Sequence, residues 1–176
     1  MNRSILILSF IILFVVHACI KTEPVSPVPE ITFNSYELSV AYDTLLEQNI
    51  LIGKLEFSFI DGDADIGMYY LEDTVAWNEN NYNLFLTPYE KVEGEYFLIE
   101  PDSSKPPPYY TIAHDDKLDR VGQNKTIKGK IKLDILYFIV PEYDTIRYDF
   151  YIVDRAKHAS NIESTSDIEF RGITLN

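Results

Sequence analysis

Hydrophobic and polar residues alternate most clearly in two stretches. In Ile50 to Ile60, ILIGKLEFSFI, Leu55, Phe57 and Phe59 fall on one face and Lys54, Glu56 and Ser58 on the other. In Thr126 to Ile139, Ile127, Ile131, Leu133 and Ile135 alternate with Lys128, Lys130, Lys132 and Asp134. A period of two predicts half-buried β-strands, with one face on a core and the lysines in water. The same pattern predicts strands at Ile31 to Val40, at Asn83 to Thr87, at Glu95 to Glu100 and at Asp167 to Leu175. It also predicts one at Thr145 to Val153, with Ile146, Tyr148, Phe150 and Ile152 inward, and a short one at Met68 to Leu71. Between them lie turn and loop signals: Ala41 to Asn49 with a helical turn near Thr44 to Gln48, the Asn-rich Asp73 to Asn83, Pro88 to Gly94, Pro101 to Pro108, Pro141 to Asp144 and Asp154 to Asn161. The Pro106–Pro108 run reads as a rigid loop.

Seven or eight strands separated by turns, with no long stretch at helical spacing, predict an antiparallel immunoglobulin-like β-sandwich over residues 31–176. Composition agrees: 13 Tyr and 10 Phe against 7 Gly favour β-structure. The chain is long enough to bury a core without disulfides.

The N-terminus has a different character. Met1-Asn2-Arg3 is a short positive region, and Ile5 to Val16 is apolar except for Ser9. That run is too short to span a bilayer as a helix but suits the core of a signal peptide. It ends in Val16-His17-Ala18-Cys19, and Cys19 is the only cysteine in the chain. A small residue before a lone cysteine, after an apolar core, resembles the lipobox of bacterial lipoproteins. The resemblance implies cleavage after residue 18 and a diacylglycerol on the Cys19 sulfur. A cleaved signal with a stray cysteine, or an uncleaved anchor, are the alternatives. Residues 19–30 include Pro24, Pro27 and Pro29, which predict an extended tether spanning up to ~35 Å.

The net charge is −13. Losing Arg3 with residues 1–18 would make it −14. Such a surface repels nucleic acid and anionic headgroups and attracts cations, and it also serves solubility.

The residues that suggest chemistry follow the second predicted strand. Asp61, Asp63 and Asp65 match positions 1, 3 and 5 of a calcium loop, and Glu72 falls at position 12. Ca²⁺ takes six to eight oxygens, which alternate carboxylates on a tight turn can supply. The match departs from the EF-hand pattern: Ile66 stands where glycine is expected, Gly67 comes one place late, and no helix flanks the loop. Strand parity places the Asp154 to Asn161 loop at the same end of a sandwich, which adds Asp154 and Asn161 to the candidates. The alternative is a loop whose aspartates cap backbone N–H groups. The remaining chain reads as a scaffold that holds this loop out from a membrane.

Asp154-Arg155-Ala156, Ser160-Asn161 and Thr165 form a loop-to-last-strand pattern that resembles bacterial immunoglobulin-like and fibronectin-type modules. The DGDADIG stretch at residues 61–67 resembles uncharacterised envelope lipoproteins of the Bacteroidota. That resemblance implies a lipid-anchored place in the cell envelope, at the outer membrane, more than an activity.

No G-x-S-x-G, H-E-x-x-H or glycine-rich phosphate loop occurs. Beyond residue 18 the histidines are His114, beside Asp115 and Asp116 in a predicted solvated turn, and His158 in a predicted loop. The expectation is a protein that is not an enzyme. Three non-catalytic roles fit: a protein-interaction module of the envelope, a spacer, or a carbohydrate-binding accessory of a nutrient-uptake system. In the last, Tyr69, Tyr70, Trp77, Tyr109 and Tyr110 would stack on sugar rings.

Overall fold

The structure is a computed structural model that describes residues 24–69, 82–101, 107–115 and 125–175. It is an antiparallel β-sandwich, with no helix among the described residues. The strands in chain order are β1 (Glu30–Asp43), β2 (Gln48–Asp61), β3 (Leu84–Val92), β4 (Glu95–Leu98), β5 (Tyr109–Tyr110), β6 (Ile127–Tyr137), β7 (Thr145–Ile152), β8 (Glu163–Ser164) and β9 (Ile168–Glu169). One sheet has the order β1-β2-β6. The other runs β4-β3-β7-β8, with β5 also on β3 and β9 also on β7.

The alternating faces read from the sequence meet in the middle. Leu51, Leu55 and Phe57 from β2 oppose Ile146, Tyr148, Phe150 and Ile152 from β7, all buried. Phe150 packs on Phe57 at 5.2 Å between ring centroids and on Phe33 at 6.4 Å. Beside them Tyr36, Tyr137 and Tyr148 join hydroxyls through the core at 2.7 and 3.0 Å, so each buried O–H has a partner. On the outer face Glu56 accepts from Lys130 at 2.8 Å and lies 3.2 Å from Lys132. These lysines hold its carboxyl down at about 2.

In β1, Ile31 and Phe33 face inward at odd positions, whereas Tyr36 and Leu38 face inward at even ones. A register shift between Phe33 and Ser35 absorbs the change of phase, as a β-bulge does. The exposed edge of β1 is covered by side chains: Asn161 Oδ1 accepts from Ile31 N–H at 2.8 Å and Glu163 Oε2 from Phe33 N–H at 3.1 Å.

Three strand expectations need correction. The third strand continues through Pro88 to Val92. Leu86 N–H bonds to Pro108 O beside β5, and past that point Pro88 O accepts from Ile99 N–H at 3.0 Å, where the ladder with β4 starts. Pro88 sits where β3 changes partners, so its missing N–H breaks no ladder bond. Asp167 to Leu175 is strand only at β9, because the chain turns at Arg171–Gly172, with Gly172 at φ 80°. Met68 makes a single parallel bridge to Ala113 rather than a strand with the residues after it, of which 70–71 lie outside the described residues.

Candidate metal centre

β2 and β7 run in the same direction, so the loops after them meet at one end. Arg155 N–H donates to Asp65 O at 3.2 Å, and Ala156 N–H donates to Asp65 Oδ2 at 3.0 Å. This is the convergence that strand parity predicts.

Each aspartate of the pair that closes the loop divides its carboxylate between two tasks. Asp61 Oδ2 accepts from Asp65 N–H at 2.9 Å, which curls the loop. Asp65 Oδ2 ties the loop to Ala156. These are the backbone caps that the alternative reading of the loop expects. The remaining oxygens are not used in this way. Asp61 Oδ1, Asp63 Oδ1 and Asp65 Oδ1 are all sealed from solvent without a hydrogen-bond partner, and Asp61 is fully buried. One oxygen from each of the three residues lies within 4.8 Å of the other two. Buried carboxylate oxygens without partners are costly. A divalent cation at their centre would satisfy all three, and oxygens ~2.4 Å from one Ca²⁺ are no more than ~4.8 Å apart.

Burial raises the Asp61 carboxyl to about 6, and the charges of Asp63 and Asp65 push the same way. Burial also raises Asp65, helped by Asp154 and Asp63. The folded chain therefore binds more protons than the unfolded chain between the ordinary Asp61 value of 3.8 and about 6. In that window stability falls as pH rises, and above it the penalty is complete. Asp61→Asn removes the titration and keeps an oxygen for Asp65 N–H. Metal-free wild-type protein should therefore gain melting temperature relative to Asp61→Asn as pH drops from about 7 to about 4. A difference that stays flat across this range would show that the Asp61 charge carries no penalty in the fold.

The other candidates are placed differently. Asp154 is fully buried beside the cluster but is engaged by His158, whose N–H donates to Oδ1 at 2.7 Å and whose Nδ1 lies 2.9 Å from Oδ2. It contributes repulsion to Asp65 rather than an oxygen to the group of three. Asn161 turns away and brackets Ile31, with Oδ1 on its N–H and Nδ2 on its carbonyl. Glu72, Tyr70 and Trp77 lie outside the described residues. Tyr109 packs edge-on against Phe85 at 5.0 Å and Tyr82 at 5.9 Å, and Tyr110 packs against the core. Tyr69 lies against His114 at 4.4 Å and under the Arg155 guanidinium at 4.7 Å.

Two features were not evident from the sequence. Arg155 clamps the far side of the loop, with Nη1 donating to Gly67 O at 2.8 Å. The proline-rich segment before β1 is fastened at this same end: Gly62 N–H donates to Ser26 O at 2.9 Å, and Pro29 is buried. A Cβ on Gly62 would stand 2.3 Å from Val25 O and 2.4 Å from Ser26 O, so glycine is required there. The acidic loop therefore lies against the proline-rich segment before β1, not at the opposite end of the sandwich.

In comparisons with known proteins, no family model, no curated protein and no solved structure matches this chain.

Proposed function

We propose that this chain is a non-catalytic binding module of a bacterial cell envelope, anchored through lipid on Cys19 and organised at its tethered end by a divalent cation. Calcium suits the donors, which are hard carboxylate oxygens on an irregular loop. The observation that carries the cation half is the set of three sealed, unpartnered Oδ1 atoms of Asp61, Asp63 and Asp65. The anchor half is supported by the apolar run of residues 5–16 that ends at the lone cysteine.

The two halves meet at Gly62. It lies between two candidate ligands and bonds to Ser26 of the tether. A cation that stiffens residues 61–65 would thereby fix how the domain stands on its anchor.

Binding to the folded state alone stabilises by RT ln(1 + [L]/Kd), about 2.7 kcal/mol at a hundredfold excess over Kd. Calcium added to chelator-treated protein should raise the melting temperature by several degrees, and Asp63→Asn should abolish most of that rise. An unchanged melting temperature in millimolar calcium would refute the cation half. The anchor half is checked separately: wild-type cells should incorporate labelled acyl chain into the protein and Cys19→Ser cells should not. Labelling of the serine variant would refute lipid attachment at Cys19.

A further inference from the structure

The end of the sandwich opposite the tether carries an unusual surface. Here the β1–β2 hairpin turns at residues 44–47, β3 turns into β4 at residues 93–94, and β6 leads into β7 through residues 138–144. Ladder register puts them together: Leu51 pairs with Tyr137, so the hairpin tip and the exit of β6 both project beyond the last shared rung. Val40 and Tyr42 continue the inward-facing row of β1 past the buried core, where the opposite sheet no longer covers them. Leu45 is 92% exposed, Ile139 82% and Tyr42 61%, and Leu46 and Phe138 are exposed beside them. Large apolar side chains gathered at one end of an acidic protein mark an interaction site rather than ordinary surface scatter.

The charges on the three turns are acidic, and the nearest cations, Arg171 and Lys91, are already paired with Asp144 and Asp167. Asp43, Glu47, Glu93, Glu142 and Asp144 stand on or beside the three turns, which contain no lysine or arginine. Arg171 is held by Asp144 at 2.6 Å. An apolar centre within a carboxylate rim is complementary to an apolar face flanked by cations and repels a second copy of itself.

We infer that this end docks a polypeptide segment presenting an apolar face flanked by Lys or Arg, such as an amphipathic helix of another envelope protein. The inference rests on reading the chain as a binding module, and it names the partner's chemistry. The tether leaves from the opposite end, so an anchored domain would present this surface away from its attachment.

The test uses the full chain and a fluorescent synthetic Leu/Lys amphipathic helix, with a Leu/Glu helix of the same pattern as control. Fluorescence anisotropy should show binding of the Leu/Lys helix, weakening with salt, and none of the Leu/Glu helix. The double substitution Leu45→Asp and Ile139→Asp should weaken binding at least about tenfold while leaving the melting temperature in place, since both side chains are in water. No binding, equal binding of the two helices, or binding unchanged in the double variant would each overturn the inference. Self-association of the wild-type chain that the double variant abolishes would also overturn it, by making the occupant a second copy. Neither lipid nor cation is required, so failure here is distinct from failure of the anchored, cation-organised reading.

Discussion

Phe150→Ala should cost about 3–5 kcal/mol of unfolding free energy, the range for removing a buried Phe side chain. Phe150 is wholly buried on β7, which lies between β3 and the β8–β9 segment. It touches Phe57 and Phe33 of the facing sheet, so its ring joins the two layers at their centre. Small domains are stable by only about 5–15 kcal/mol, so the loss would remove a large share of the total. Urea unfolding should show a lower midpoint with an unchanged slope, because the surface exposed on unfolding is nearly the same. The neighbouring residue is the control. Tyr151 faces outward and stacks on Phe85 at 5.1 Å, so its replacement by Ala should cost far less. Comparable losses at both positions would mean that β7 does not present Phe150 to the opposing sheet.

Phe150 was legible from its pattern alone, and so were β2, β6 and β7, because a long strand with one wet face writes its period of two into the sequence. The elements that were missed lack that signal. Tyr109–Tyr110 and Glu163–Ser164 pair over two residues each, too few for alternation to show. Their positions are set by strands distant in the chain, Leu84 and Phe85 for one and Asp149 and Phe150 for the other. Pro88 marks a break in the sequence pattern because a proline inside a sheet normally is one. Whether its absent N–H matters depends on where β5 ends and β4 begins, which is a fact of tertiary pairing. In β1 the change of phase between Phe33 and Tyr36 was present in the sequence, but only the bulge explains how both rings reach the core.

The candidate site divides along the same line. Asp61, Asp63 and Asp65 were legible because their spacing is local, and the approach of the Asp154 loop followed from strand direction. The division of each carboxylate into a capping oxygen and an unpartnered one was not legible, since it depends on atomic placement. The same is true of the preference of Asp154 for His158. The bond from Gly62 to Ser26 was invisible for another reason: proline density before β1 signals an extended chain and is silent on what that chain lies against.

Gly53→Ala reverses what local propensity would suggest. In a strand, glycine is entropically costly, and alanine normally stabilises by about 0.5–1 kcal/mol where the backbone allows it. Gly53 does not lie at a positive φ, so no backbone rule demands glycine there. The constraint is space. A Cβ would stand 2.0 Å from Tyr36 Oη, 2.6 Å from its Cζ and 3.1 Å from Tyr137 Cε2. Tyr36 cannot simply swing aside, because its hydroxyl is bonded to Tyr137 and, through it, to Tyr148 in the core. Overpacking costs about 1–3 kcal/mol, and breaking a buried hydroxyl contact adds about 1–3. The substitution should therefore destabilise by on the order of 2–6 kcal/mol, measured by urea unfolding. Steric conflict with Tyr36 can be isolated in the Tyr36→Leu background, where the shorter side chain vacates the space above residue 53. There Gly53→Ala should cost less than about 1 kcal/mol, a coupling expected only for residues in direct contact. If the full cost persists in that background, Tyr36 is not what excludes a side chain at Gly53, and the packing of β1 over β2 would need a different account.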